Sequence, residues 1–506
     1  MTIKDKKVTV VGLARSGAGA ARLLSLLGAE VTVTDKRSEG ELIDMIKGLR
    51  PSVRLALGGH PEEVFTKADL IVVSPGVPLE IWPIAAARAK GIQVIGELEL
   101  AYRIMQGLGV SDLGLVKDAA LIPNPQSPIP FLAITGSNGK STTTTLLDYM
   151  MKKAGFNTVF GGNIGNALTE EIYKIVTSNE LRVTGKGEDL SPITHHPSPD
   201  FFVVEVSSFQ LEAIDGFRPH IASLLNITPD HLDRYYSMDE YRNAKANIYR
   251  NQQSGDFLVL NADDPETMRL YDSRFKIQDS RLPEVYFFSR EKEVNGIYYK
   301  DGIIYSNFIN PQLSTYNSQL INADEIRIKG VHNLENAMAA SAMALLAHCP
   351  LEAVIQGMKE FEGLEHRLEP VRELDGVTYI NDSKGTNVGA VVKSIESFRE
   401  PVVLIAGGRD KAGDFSVLRE PVSQKVKAIL LIGEASCKIQ DALGDVTETH
   451  MAKDLAEAVT MSRRMAKKGD VVLLSPACAS FDMFRDYEDR GRQFKKIVME
   501  LKNNNA

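Results

Sequence analysis

The sequence predicts an α/β protein of three domains, built on mainly parallel sheets. Three observations carry this. Short, β-branched apolar runs alternate with helix-length stretches along the chain, the pattern of β-α units laid on a parallel sheet. Two of these runs end in glycine-rich turns that open helices, VVGLARSGAG at 10–19 and AITGSNGKST at 133–142. The 506 residues are also enough for three domains at roughly 150 residues each.

The first domain, expected over 1–106, begins with strand, glycine turn, helix and strand: KVTVVGL, ARSGAGAARLLSLLGA and EVTVTD, within 7–35. ADLIVVSPGV (68–77), a helix near 83–90 and IQVIGE (92–97) extend the alternation. A Gly- and Pro-containing connector follows, ending in IPNPQSPIP. It leads into a central domain expected over 107–363. There FLAITGSNGKSTTTTLLDYMMKKAG reads strand, loop, helix, and FFVVEV (201–206), IASLLNI (221–227) and DFLVLNA (256–262) supply further strands. The third domain, 364–506, shows strands at VTYIND (377–382), VVLIAGG (402–408), AILLIGE (428–434) and VVLLSP (471–476). Residues 174–200 and 306–322 are polar and rich in turn formers; both are expected to be surface insertions.

Composition narrows the function classes. Apolar content is 43% and charged content 25%, ordinary for a globular protein. A net charge of −8 argues against a general nucleic-acid binder, yet leaves room for an anionic small ligand held by local cations. Cys349, Cys437 and Cys478 are far apart and make neither a metal spacing nor a disulfide framework, which points to a reducing compartment. The charged N-terminus MTIKDKK runs straight into a strand, unlike a signal peptide. No run approaches the ~18 apolar residues that span a bilayer. The expectation is a cytoplasmic protein with no membrane partner.

The turn at 133–145 departs from the usual phosphate loop G-x-x-x-x-G-K-[ST]. Five residues before Gly139 stands Ile134, and the earlier glycine is Gly136. The context is still that of a phosphate loop. Gly136 and Gly139 let backbone N–H groups turn inward, the helix N-terminus adds positive dipole, Lys140 reaches terminal phosphates, and the hydroxyl of Ser141 or Thr142 suits Mg²⁺. In VVEVSSFQLE, Glu205 ends an apolar strand, a place for an acid that holds Mg²⁺; the alternative is a solvated strand end. LNITPDHLDRYYSMDEYRNAKANIYR (225–250) carries His231 after a strand and Lys245 in a helical pattern. Asn333 and Asn336 open a helix and share one face at i,i+3, where amides can read a purine and its ribose; for Asn333 a helix cap is an equal alternative. EGLEHRLEPV, INDSKGTN, AGGRDKAGDF and SPACASFDMF follow in the third region. Several lie just after strands, the edge at which open parallel sheets bind ligands. Arg367 is placed to bridge phosphates, Asp382 and Lys384 to touch ATP, and Lys411 to grip a carboxylate; each alone also reads as a surface residue.

Together GLARSG, SPGV, TGSNGKST, EVSSFQLE, TPDHLDRY, HNLEN, EHRLE, NDSKGTN, GGRDKAGDF and SPACASFDMF resemble the Mur ligase family, the ATP-dependent amide ligases of peptidoglycan assembly. The resemblance runs from about Lys7 to Lys496 and is strongest to the branch that adds D-glutamate. It implies an N-terminal Rossmann-like domain for a nucleotide sugar, a central P-loop ATPase domain and a mobile C-terminal Rossmann-like domain. It implies UDP-N-acetylmuramoyl-L-alanine and D-glutamate as substrates, with ATP and Mg²⁺, in a monomer. Ser16, Gly17, Asp35, Arg37 and Gly76 would hold the UDP substrate, with Asn163 and Gln210 from the central domain. Gly136, Ser137, Asn138, Gly139, Lys140, Ser141 and Thr142, with Asn333, Asn336, Arg367 and Asp382, would hold ATP. Ser141, Glu205, His231 and Lys245 would be associated with metal, Lys245 as a CO₂-derived carbamate. Lys140, His231, Lys245 and Lys384 would be catalytic. Thr386, Lys411, Ser480, Phe481 and Tyr487 would receive D-glutamate.

The chain departs from expectation in three places. Ala14 stands where a dinucleotide fingerprint has its second glycine, with the bulky Arg15 beside it. The 174–200 stretch precedes the Glu205 strand closely. Tyr487 places a hydroxyl where an aromatic ring beside D-glutamate is expected. Three other readings stay open on sequence: a family member adding another amino acid or polyglutamylating folate; a nicotinamide-dependent oxidoreductase, from Gly12 and Asp35; and a non-catalytic nucleotide-binding scaffold.

Overall fold

Three sheets follow one another along the chain. The computed structural model describes residues 3–107, 129–183, 199–230, 234–275, 279–309, 317–411 and 413–502. Most of the expected connector, 184–198 and 310–316 lie outside the described residues.

The first sheet has five parallel strands in the order Arg54–Leu57, Glu30–Asp35, Lys7–Val11, Leu70–Val73, Gln93–Gly96. The chain reverses direction across the sheet at Lys7–Val11, so a crevice opens beyond its C-terminal end. There Gly12 (φ +89°) turns the chain into the helix Arg15–Leu26. A Cβ on Gly17 would sit 1.8 Å from the Gly12 carbonyl oxygen, so this helix can start so close to the strand only with glycine at 17.

The second sheet has nine strands. Seven form a parallel block in the order Gly296–Lys300, Glu284–Ser289, Phe257–Asn261, Ile221–Leu224, Phe131–Thr135, Phe201–Glu205, Thr158–Gly162. Ile303–Asn307 and Ser318–Asn322 continue it antiparallel at one edge. The third sheet runs Glu369–Leu374, Val377–Asn381, Val471–Leu474, Val402–Gly407, Val426–Ile432, Glu448–Met451, with only the first pair antiparallel. Buried strands read as unbroken apolar runs because both faces are covered. That is why VVLIAG and AILLI are visible in sequence while the polar edge strand ETHM at 448–451 is not.

The two expected surface insertions need correcting. Leu168–Val183 is one helix, so the first ten residues of 174–200 are helical. It buries Ile172 and Val176, four residues apart, and packs on the helix Arg15–Leu26, with Arg22 paired to Glu170 at 2.6 Å. The polar composition belongs to a helix with a single buried stripe. Both ends of 306–322 are sheet: Ser306 pairs with Ser318 across the antiparallel edge, and Asn317 bonds the backbone of Phe308. Edge strands half open to solvent carry polar residues for that reason.

The cores show how the sheets are joined. One continuous apolar cluster runs from Val8 and Leu98 in the first sheet's layer to Phe131, Phe202 and Tyr241 in the second's. Two buried glutamates reinforce the junction. Glu99 accepts the backbone N–H groups of Asp215, Gly216 and Phe217 at 2.8–3.0 Å, and Glu97 accepts from Thr169. The third sheet has its own core on each face, and among the described residues no apolar cluster joins it to the other two.

Candidate active site

The strand Phe131–Thr135 lies mid-sheet, with the phosphate-type turn at its C-terminal end. Gly139 is the N-cap of the helix Lys140–Lys153 and is left-handed (φ +82°); a Cβ there would also lie 2.2 Å from the Asn336 side-chain oxygen, so only glycine fits. The loop's shape is imposed by the neighbouring strand end. Asn226 accepts from Ser137 N–H through its carbonyl (2.9 Å) and from Asn138 N–H through its side chain (2.8 Å). Ser137 Oγ donates to Thr228 O and accepts from Thr228 N, both at 2.9 Å. The first-turn N–H groups of the helix have no acceptor inside it, which leaves them for an anion. Lys140 Nζ donates to Gly136 O (2.7 Å) and Ser137 O (2.8 Å). Burial lowers its pKa, with Arg367 adding to the effect, while Glu205 and Asp230 oppose it.

This loop forms one wall of a cavity of about 290 Å³. The other walls are Asn163, Glu205 and Asp230, the helix start at His332, Asn333 and Asn336, and third-region residues including Arg367, Asp382, Lys384, Thr386, Asn387, Lys393 and Lys411. The two sides touch through polar contacts. Arg367 donates to Ser141 Oγ at 2.8 Å, and Asn387 donates to Asn138 and to Asp230, each at 3.4 Å.

Glu205 is 2% exposed. Its Oε1 accepts from Asn163 at 2.6 Å, while Oε2 is buried with no partner among the described residues. An orphaned carboxylate oxygen beside a phosphate-type loop suits a divalent cation. Among the described residues no three His, Cys, Asp or Glu side chains gather as a protein-only metal cage. Mg²⁺ needs only one or two protein carboxylates and completes its shell with water and phosphate. Lys245 lies in the helix Met238–Ala246, whose N-cap Ser237 accepts from Glu240 N–H. It is 2% exposed, donates to Gly136 O at 2.8 Å and lies over the Tyr241 ring. Burial and then the nearby Lys140 push its pKa well below the usual lysine value. His231 lies outside the described residues.

On the third-region wall, Asp382 is a buried hub. Its Oδ2 accepts from Ser394 and Ser475, each at 2.7 Å, and Oδ1 accepts from Leu368 N–H. Burial raises its pKa to about 6 despite those bonds. Lys384 stacks its ammonium 3.7 Å above the Tyr487 ring. Burial, then Arg367, lowers its pKa to about 7. Thr386 and Lys411 line the cavity, but Ser480, Phe481 and Tyr487 do not. Ser480 is buried, Phe481 is 63% exposed, and Tyr487 bonds Glu488 through its hydroxyl.

The first-sheet residues form a separate group. Burial would raise the Asp35 pKa, but the bonds from Arg37 and Leu13 N–H outweigh it and bring it to about 2. Ser16 and Gly17 open the helix after the glycine turn, and Gly76 has open space where a side chain would point. Gln210 has its side-chain oxygen engaged by Ser207 in a capping box. It lines a small cleft with Ser74, Glu97 and Arg234 between the two sheets. Asn163, grouped by sequence with the UDP residues, lines the larger cavity.

Sequence reasoning missed Asp230, His332, Asn387, Lys393 and Ser394, all in the cavity wall. Three stand inside or beside strings already singled out, TPDHLD, HNLEN and NDSKGTN. Lys393 and Ser394 lie on the helix Val388–Glu396 and carry no motif; docking alone brings them in.

Comparison with known proteins supplies the lineage. The Mur ligase MurD-like N-terminal domain matches residues 6–96, the Mur ligase middle domain 134–344, and the Mur ligase glutamate ligase domain 366–478. A UDP-N-acetylmuramoylalanine--D-glutamate ligase of Citrifermentans bemidjiense is 44% identical over 508 aligned positions, covering 100% of both chains. The chain belongs to the Mur ligase family. A ligase of the same name from Geotalea daltonii is 44% identical over 99% of each chain. Among solved structures, the UDP-N-acetylmuramate-alanine ligase MurC of Thermotoga maritima has a TM-score of 0.56 at 18% identity, covering 98% of this chain and all of that one. MurF of Acinetobacter baumannii has 0.56 at 16%, covering 87% and 93%. This Mur ligase thus shares the α/β fold of both. Among the described residues no helix is long and apolar enough to cross a membrane.

Proposed function

We propose that this Mur ligase joins D-glutamate to UDP-N-acetylmuramoyl-L-alanine with hydrolysis of ATP to ADP and phosphate. The observation that carries the reading is the cavity in which the phosphate-type loop faces Arg367, Lys384 and Lys411. One ligand there can be held by its phosphates on one side and meet an amino-acid acceptor on the other. The full-length relatives named for this reaction support it.

A carboxylate is a poor acylating agent. Transfer of the terminal phosphoryl group of ATP to the L-alanine carboxylate gives an acyl phosphate and ADP. The amine of D-glutamate attacks its carbonyl, a tetrahedral intermediate forms, and inorganic phosphate leaves as the amide closes. In this reading the helix N-terminus, Lys140 and Arg367 hold the phosphates where charge develops. Asn333 and Asn336 meet the nucleoside, with Asp382 on the ribose. Lys411 and Thr386 meet the acceptor carboxylates, with Ser480, Phe481 and Tyr487 beyond the cavity wall. Asp35, Arg37, Ser16, Gly17, Gly76 and Gln210 hold the UDP substrate. Ser141 and Glu205 would hold Mg²⁺, with His231 and a Lys245 carbamate, and the ion would neutralise phosphate charge during transfer.

The carbamate fits the observed lysine. A buried amine with a depressed pKa is neutral enough to add CO₂, and a hard oxygen ligand then replaces a cation beside the metal site. A carbonyl resonance from ¹³CO₂ that vanishes in Lys245→Arg is the expected sign; its absence from active wild type would count against the modification.

The test of the reaction is phosphate release with ATP, Mg²⁺ and UDP-N-acetylmuramoyl-L-alanine against D-glutamate, L-glutamate, L-lysine and meso-diaminopimelate, with product mass. Release with D-glutamate alone is expected. Release with another acceptor would overturn the acceptor assignment, and silence with all four would overturn the reaction.

A further inference from the structure

The nucleoside end of the cavity is built from two bodies that share no apolar core among the described residues. His332 and Asn333 come from the start of the helix Val331–Leu346, while Ala390, Lys393 and Ser394 come from the third region's helix Val388–Glu396. The two helices meet through the His332 ring: its Nδ1 lies 3.2 Å from Ser397 Oγ, and the ring also bonds the Lys393 backbone. The approach is close enough that a Cβ on Gly330 would strike Ser397 Oγ at 2.6 Å, and Gly330 is itself left-handed (φ +101°).

The proton arrangement follows from counting donors. A serine hydroxyl has one hydrogen, and Ser397 spends it on Lys393 O at 2.7 Å. One Nδ1–H serves both Ser397 Oγ and the Lys393 O that lies 2.7 Å from that Oγ, and the ring hydrogen is placed there. Burial, then Lys393 and Arg367, lowers the His332 pKa to about 4, so the ring is neutral near pH 7. A neutral ring protonated at Nδ1 has Nε2 as an acceptor.

Resting on the nucleotide-dependent reading above, we propose that His332 is a positioning residue that bridges bound nucleotide and third domain. Nδ1 holds Ser397 of the third domain, and Nε2 accepts a hydrogen bond from the nucleoside. The same ring then orders the ligand and the domain together, so each favours the other. The donor is either the exocyclic amine of the base or a ribose hydroxyl.

The test uses the full chain with one fluorophore on the central domain and one on the third, titrated with the non-hydrolysable ATP analogue AMPPNP. It reports domain approach without the UDP substrate or the amino acid, so it stands apart from the identity of the acceptor. Ser397→Ala cuts the domain side of the bridge. His332→Asn keeps an amide donor near Nδ1 and removes the Nε2 acceptor. Each is expected to raise the nucleotide concentration for half-maximal approach about five-fold, the worth of one neutral hydrogen bond. His332→Leu removes both ends and should cost no more than either alone, because a bridge with one end cut transmits nothing. Multiplied effects in His332→Leu would overturn the bridge in favour of two separate contacts, and unchanged titrations in Ser397→Ala would overturn it outright. Inosine triphosphate and 2′-deoxy-ATP, titrated the same way, identify the donor. The analogue that lacks it should lose affinity against wild type but not against His332→Asn, and equal losses in both proteins would overturn the Nε2 contact. Should His332→Leu fail to fold, Ser397→Ala and the analogue pair carry the decision.

Discussion

Replacing Lys140 by methionine separates catalysis from folding at the centre of this site. The ammonium is parked on two loop carbonyls, Gly136 O at 2.7 Å and Ser137 O at 2.8 Å, in a wall that also holds Arg367 and Lys384. Its depressed pKa means that the charged form is less favoured here than in the unfolded chain. Removing the charge should therefore leave stability level or slightly higher. Methionine keeps the aliphatic stem, and the freed carbonyls border a cavity that water enters. Catalysis should respond in the opposite direction. A preorganised donor to developing anionic charge is worth about 3–4 kcal/mol, and two unit charges ~4 Å apart at an effective dielectric of ~20 interact by about 4 kcal/mol. Taking the lower figure, Lys140→Met should lower turnover at least ~150-fold. The assay is steady-state phosphate release with all substrates saturating, paired with a urea melt of the free enzyme. Turnover within three-fold of wild type would refute the phosphate role. A loss of activity matched by a comparable loss of stability would show that the lysine serves the loop's structure instead.

The remaining expectations are of different kinds. Glu205→Gln keeps an oxygen for the Asn163 bond and removes the charge, so the Mg²⁺ concentration for half-maximal activity should rise at least ~10-fold with no loss of Tm; an unchanged Mg²⁺ requirement would remove Glu205 from the metal site. Lys384, with its pKa near 7, is mostly neutral at pH 8 and charged at pH 6. An anion bound beside it raises that pKa, so AMPPNP binding at pH 8 should take up protons, measured calorimetrically in buffers of different ionisation enthalpy. In Lys384→Met the uptake should fall by up to about one proton, and equal uptake in both proteins would refute the assignment. Glu99→Ala leaves three backbone N–H groups at 215–217 without their acceptor and should cost about 3 kcal/mol in a urea melt; a cost below ~1 kcal/mol would mean that the apolar core alone joins the first two layers.

What was legible in the sequence was whatever a single segment determines. AITGSNGKST reads as a phosphate-type turn because strand, turn glycines, lysine and helix start are contiguous, and Glu205 stands out as an acid ending an apolar strand. Asn226 was not legible, although it shapes the loop through Ser137 and Asn138. It acts only because Ile221–Leu224 lies beside Phe131–Thr135, about ninety positions earlier in the chain. The helix at 168–183 was hidden for a related reason: with its outer face in water and a narrow buried stripe, its composition resembles a loop until its neighbour is known. Lys393 and Ser394 belong to the site through the docking of one helix on another, which no local pattern records.

That docking has an electrostatic consequence. The cavity wall carries Lys140, Arg367, Lys384, Lys393 and Lys411 against Glu205, Asp230 and Asp382, an excess of positive charge in a chain whose net charge is −8. Four of those five cations belong to the third region, whereas Lys140 belongs to the layer fused by a common core to the first sheet. Closing the two bodies without a ligand brings cations into a partly desolvated space; burial is the main cause of the lowered pKa values of Lys140 and Lys384, and neighbouring cations add to it. No shared apolar cluster offsets it among the described residues; the contacts across the gap are hydrogen bonds such as Arg367 to Ser141 and His332 to Ser397. A polyanion between the bodies reverses the sign, because each cation then gains a partner in the same space that made it unfavourable. On this account the ligand's charge should hold the third body more than protein contacts do, and domain approach should weaken with salt more steeply than the stability of either body. A domain arrangement insensitive to both nucleotide and ionic strength would contradict this account.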